Sequence, residues 1–188
     1  LVKHGKTFQL KLCDLGAARW FEPRQTVIHR GILSQIPIYS EQCGTLWYRA
    51  PELLLGGAYN ERIDVWSAGC IDYEIRTGAA LFKSEDGTDW AQMVSVFQKC
   101  GTPTPDTWPG CTLLPHYQPR PAFKKSHTFH PLVDAALQWP HVRPSAREML
   151  RKYEGDVSID YETPAAVEMT WGDLHDVDRM RWVDWMVR

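Results

Sequence analysis

Residues able to do chemistry are spread along this sequence rather than clustered. Asp14 closes a short alternating stretch and stands just before Leu15-Gly16. Hard divalent cations prefer carboxylate oxygen, whereas an aspartate before a glycine also serves simply as a turn residue. Carboxylates recur at Glu52 and Asp64, and guanidinium groups at Arg19, Arg49 and Arg143. A guanidinium can bind carboxylate or phosphate through two parallel hydrogen bonds. His127 and His130 have HxxH spacing, but no second Cys or His pair lies nearby, so they read as solvated loop histidines. Five cysteines (Cys13, Cys43, Cys70, Cys100 and Cys111) are widely separated, odd in number and never CxxC. That argues against a disulfide framework and a zinc site, and favours a reducing interior such as cytoplasm or nucleus.

The elements that must position these groups are uneven in character. Leu1 to Asp14 predicts two short strands about a Lys3-His4-Gly5-Lys6 turn, with Phe8, Leu10 and Leu12 alternating. Such a ribbon is not stable alone and needs a body to lie on. Residues 16–49 have no sustained periodicity, which predicts a long functional loop. A short helix follows from Pro51 to Leu55, stopped by Gly56-Gly57. The stretch 63–76 predicts a central helix, apolar on most faces and therefore buried. A second helix spans 89–100, with Trp90, Met93, Val94 and Phe97 on one face and a Gly101-Thr102-Pro103 stop. Two shorter helices are expected over 132–139 and 145–152.

Composition bounds the rest. The 188 residues suffice for one domain with a true core, and nine tryptophans supply large anchors for it. A formal charge of −2 gives no support for general binding to nucleic acid or to a membrane surface. No apolar run approaches the roughly 20 residues that span a bilayer. Residues 153–188 hold nine acidic and three basic side chains. They predict an acidic linker and an amphipathic helix through Trp171, Leu174, Val177, Met180 and Val183. The opening on Leu1-Val2, without Met, suggests a piece of something longer.

Three motifs in fixed order carry a family resemblance: Lys11-Leu12-Cys13-Asp14-Leu15-Gly16, then Gly44-Thr45-Leu46-Trp47-Tyr48-Arg49-Ala50-Pro51-Glu52, then Asp64-Val65-Trp66-Ser67-Ala68-Gly69-Cys70. Together they resemble the eukaryotic protein-kinase signature set from its metal-binding strand turn onward. Trp47-Tyr48-Arg49, Gly101-Thr102-Pro103 and Trp108-Pro109-Gly110 are similar to the cyclin-dependent-kinase and MAP-kinase (CMGC) group. The resemblance covers residues 1–152 as a partial kinase domain. It implies a mainly α C-lobe around the 63–76 helix, a small N-terminal β ribbon and no N-lobe.

The resemblance also implies roles. Asp14 would hold Mg²⁺ against the phosphates of ATP, with Leu15 in place of the family's Phe. The segment 15–50 would be the activation segment. Counting back from Ala50-Pro51-Glu52, Ser40 falls at the activating phosphosite and Arg19 in its phosphate pocket. Thr45 and Arg49 would line the substrate pocket. Arg49 implies a proline-directed enzyme acting on protein Ser/Thr-Pro sites. Glu52 and Arg143 would form the ion pair fixing the activation segment to the lobe, and Asp64 would hold the catalytic loop. The group admits a cyclin-like or other regulatory subunit as partner.

Equally informative is what these residues omit. No His-Arg-Asp-x-x-x-x-Asn motif, Gly-rich phosphate loop or phosphate-binding strand Lys occurs in residues 1–188. Phosphoryl transfer needs those parts jointly, so the expectation is part of a protein serine/threonine kinase, inactive as this chain alone. The alternative is a non-catalytic, pseudokinase-like interaction module. The sequence preceding Leu1 would discriminate: an intact His-Arg-Asp and strand Lys favour the enzyme.

Overall fold

The computed structural model describes residues 2–4, 7–9, 15–18, 26–29, 32–35, 43–119 and 121–156. The body is mainly helical, as expected. After a 3-10 turn at Leu46–Tyr48 come α1 (Pro51–Leu54), α2 (Arg62–Thr77), α3 (Asp89–Cys100), α4 (Pro131–Ala136) and α5 (Ala146–Asp156). Two backbone ladders lie upstream of the helices. Val2–His4 (β1) pairs antiparallel with Thr7–Gln9 (β2), Val2 opposite Gln9. Thr26–His29 (β3) pairs antiparallel with Ile32–Gln35 (β4), His29 opposite Ile32. The second ladder falls inside the stretch expected to lack regular structure. Its β-branched Thr26, Val27, Ile28 and Ile32 suit strands, but runs of four residues are too short to establish a period.

Local chemistry explains the helix ends. Pro51 starts α1, where its missing N–H costs nothing and its fixed φ suits the first turn. Asn60 accepts from the Arg62 amide through its side chain at 3.1 Å, opening α2. Gly78, at φ 76° and ψ 7°, closes α2 in the left-handed conformation that glycine tolerates best. Thr88 caps α3 by accepting from the Ala91 amide at 3.1 Å. Asp89 in the first turn and Lys99 in the last complement the helix dipole. The Ser145 hydroxyl accepts from the Glu148 amide at 3.3 Å, while the Glu148 carboxylate accepts from the Ser145 amide at 2.7 Å. This reciprocal capping box starts α5.

The core forms where α2 meets α3, α4 and the loop carrying Phe82. Trp66, Phe82, Met93, Phe97 and Val133 are essentially inaccessible. The Trp66 and Phe82 rings stack at 5.5 Å. Gly69 lets α4 approach α2 closely, since a Cβ there would lie 2.6 Å from that of Ala136. One expectation needs correction: α2 is not buried on most faces. Val65, Trp66, Gly69 and Cys70 are buried, but Ile71 and Ile75 are 47% and 70% exposed. The described neighbours pack against one side of the helix, leaving the face that carries these isoleucines uncovered. The 132–139 helix is also shorter than expected, ending at Ala136. His127 is not a plainly solvated histidine: it sits half-buried against Phe129, ring centroids 4.7 Å apart, and edge-on to Tyr73 at 5.8 Å. His130 caps α4, its Nδ1 accepting from the Leu132 amide at 3.4 Å.

Candidate functional site

The site is built on the loop from Gly44 to Glu52, and α2 holds that loop from beneath. The Ser67 hydroxyl donates to the Tyr48 carbonyl at 2.8 Å. Tyr48 donates its phenolic proton to Glu74 at 2.7 Å, and that bond to a carboxylate raises the phenol's pKa to about 12. The backbone closes on itself where the Tyr48 amide donates to the Thr45 carbonyl at 3.0 Å. Thr45 itself is exposed, and its side chain does not cap the turn.

Arg49 organises the exposed side of the loop. Its Nε donates to the Gly44 carbonyl at 2.8 Å, and its Nη1 meets Asp89 at 3.1 Å. Gly44 has φ 79°, in the left-handed region, yet a Cβ there would meet nothing within 4 Å. Backbone conformation, not space, is therefore what glycine satisfies at this position.

The anchor lies below. Arg143 is 0% exposed and Glu52 2%. Arg143 Nη1 and Nη2 donate to the two oxygens of Glu52 at 2.6 and 3.0 Å. Two further donors reach the Arg62 carbonyl at 3.0 Å and the Gln138 carbonyl at 2.9 Å. The guanidinium also sits 5.1 Å from the centre of the Trp66 ring. A buried pair is tolerated only when most of its remaining hydrogen-bonding capacity is filled, and here backbone from two further segments takes two of the Arg143 donors.

Asp64 lies in the first turn of α2 and remains exposed to solvent. Partial desolvation first, and Glu61 second, raise its pKa above 3.8. The structure thus brings Thr45, Arg49, Glu52 and Arg143 onto one loop and its support, with Asp64 on the adjoining helix. Asp14, Arg19 and Ser40 lie outside the described residues, as does the stretch beyond residue 156 expected to form a tail helix. Among the described residues, no group of three or more His, Cys, Asp or Glu side chains could hold a metal. No described helix is long and apolar enough to cross a membrane. Asp89 and Gly44 were not singled out by sequence reasoning. The Arg49–Asp89 contact joins residues 40 apart, beyond any local pattern. Gly44 simply opened the second motif.

Comparison with known proteins identifies the family. The protein kinase domain model matches residues 1–153. Cyclin-dependent kinase B2-1 of Oryza sativa subsp. japonica is 35% identical over 173 residues, covering 84% of this chain and 48% of the relative. Its namesake in Arabidopsis thaliana is 36% identical over 129 residues, covering 67% and 36%. Human cyclin-dependent kinase 20 is 37% identical over 146 residues, covering 77% and 37%. The chain therefore spans half or less of the length of these relatives. With its Gly44–Glu52 loop anchored through Glu52 and Arg143, this chain belongs to the protein kinase family, in its cyclin-dependent-kinase-like branch.

Proposed function

We propose that this chain is the C-terminal lobe of an ATP- and Mg²⁺-dependent protein serine/threonine kinase that is proline-directed. The contact between Arg49 and the Gly44 carbonyl carries the reading. A substrate laid along this loop would place the residue after its acceptor hydroxyl near that carbonyl. Arg49 already occupies the carbonyl, so an ordinary amide N–H docked there would go unpaired. Proline has no N–H to satisfy. An unpaired buried donor costs about 1–3 kcal/mol, which amounts to roughly five- to 150-fold discrimination. The test is a pair of matched peptides differing only in Pro or Ala after the acceptor serine, assayed with the complete protein. Equal kcat/KM for the two would reject the proline-directed reading.

The other functional residues fit this proposal. Asp14 would supply the carboxylate for Mg²⁺, which neutralises charge developing on the transferred phosphoryl group. Thr45, exposed beside Arg49, would face the substrate. Ser40 would accept an activating phosphate and Arg19 would help bind it. Asp64, in the first turn of α2, would accept backbone amides of the catalytic loop. The β1–β2 ribbon would border the nucleotide cleft, with a cyclin-like regulatory subunit as activator and cytoplasm or nucleus as location. Residues 1–188 carry none of the catalytic-loop Asp, its Asn partner or the strand Lys. The chain by itself is therefore proposed to be inactive. Mg-ATP-dependent phosphorylation by the purified 188-residue chain would overturn that.

A further inference from the structure

We infer that Asp89 is a positioning residue for substrate specificity, acting through Arg49. The inference rests on the proline-directed reading and adds a residue from a separate helix to it.

Arg49 is a long side chain on an exposed loop, 20% accessible, and its value depends on where its Nε–H points. A guanidinium held only by the Gly44 carbonyl could swing away and release that acceptor. Asp89 provides a second hold, its Oδ1 taking Nη1 at 3.1 Å while Nε stays on Gly44 at 2.8 Å. Two contacts at different edges of a planar group fix its orientation as one cannot.

Asp89 is itself well placed to do this. It is the first residue of α3, immediately after the Thr88 cap. Asp86 Oδ1 accepts from both the amide and the hydroxyl of Thr88, at 2.9 and 2.8 Å. The turn that presents Asp89 is thus tied down from its upstream side. Downstream, α3 is pinned by buried Met93, Val96 and Phe97, and by the Gln92 side-chain amide donating to the Phe82 carbonyl at 3.0 Å. The carboxylate therefore stands on a rigid element while Arg49 stands on a loop. An acid at this position also complements the helix dipole, but that role needs no partner on the substrate loop.

The consequence is a substrate effect. Loss of the Asp89 charge lets Arg49 leave the Gly44 carbonyl part of the time. The carbonyl can then accept an N–H from a substrate lacking proline. Discrimination narrows, chiefly by improved use of the non-proline substrate.

The experiment measures kcat/KM for matched Ser-Pro and Ser-Ala peptides with the complete protein, unmodified and as Asp89→Asn and Asp89→Glu. The expected result is a two- to fivefold lower Pro/Ala ratio in Asp89→Asn, about the range an exposed ion pair supports. Asp89→Glu, which keeps the charge, restores the ratio. A purely structural or dipole role would change both peptides alike and leave the ratio fixed. If the unmodified protein prefers Pro and Asp89→Asn retains the full ratio, the inference fails while the proline-directed reading stands. If the unmodified protein shows no preference for Pro, both fail together.

Discussion

Replacing Glu52 with Gln tests the anchor of the Gly44–Glu52 loop most directly. The substitution keeps the shape but removes the charge and turns one acceptor into a donor facing a guanidinium that is 0% exposed. Arg143 retains its bonds to the Arg62 and Gln138 carbonyls but loses the bidentate pair. Removing one member of a buried pair costs about 3–5 kcal/mol, a large share of the roughly 5–15 kcal/mol that holds a domain folded. Arg143→Met should cost a similar amount, since it strands the Glu52 carboxylate at 2% exposure. The double variant, Glu52→Gln with Arg143→Met, should be less destabilised than the two single effects together. It leaves no unpaired charge, only unfilled carbonyls worth about 1–3 kcal/mol each. Equilibrium urea denaturation followed by tryptophan fluorescence suits the measurement, because the Trp66 ring lies against the guanidinium. Single variants costing under about 1 kcal/mol, or a strictly additive double variant, would refute the reasoning.

Other consequences can be checked in the same way. Asp64→Asn should raise stability at neutral pH only slightly, by under about 0.5 kcal/mol, because solvent screens the penalty on this exposed carboxylate, while, on the proposed reading, phosphotransfer by the complete protein falls. The unmodified protein's raised Asp64 pKa carries the matching sign: its contribution to stability grows as pH falls through that raised value toward 3.8, and Asp64→Asn should flatten the growth in pH-dependent denaturation. Gly69→Ala should lower the urea midpoint by the equivalent of about 1–3 kcal/mol, since the added methyl meets Ala136 at 2.6 Å. Thr88→Ala should cost about 1 kcal/mol in thermal unfolding by uncapping α3, with the protein still folded.

Much of the helical body was legible in the sequence because local chemistry marks its ends. Thr88 before an apolar face and Gly101 after it bound α3 where expected, at 89–100. Gly78 did the same for α2, and Pro51 for α1. Burial was less legible. A helix with isoleucine on its outer face looks the same in sequence whether or not something covers that face, so the exposure of Ile71 and Ile75 is not legible there. The β3–β4 ladder escaped for want of length. Ser145 and Glu148 form a capping box at the standard spacing, a signal for the start of α5 that the sequence carries locally. Within the site, the motif residues Thr45, Arg49, Glu52 and Asp64 announced themselves by type and order. Asp89 did not, because an acidic residue opening a helix is ordinary and its partner is set by tertiary packing.

The Glu52–Arg143 bond has a further consequence, for how the protein folds. It closes a span of 91 residues, and closing such a loop in a flexible chain costs about 4 kcal/mol of entropy, apart from a constant. Contacts this distant in sequence slow folding, since the entropy is spent before the contact rewards it. The helices between the two residues can form and pack earlier, from nearer contacts. The Gly44–Glu52 loop should therefore be locked late, and mutations at this pair should act mainly by hastening unfolding rather than by delaying folding.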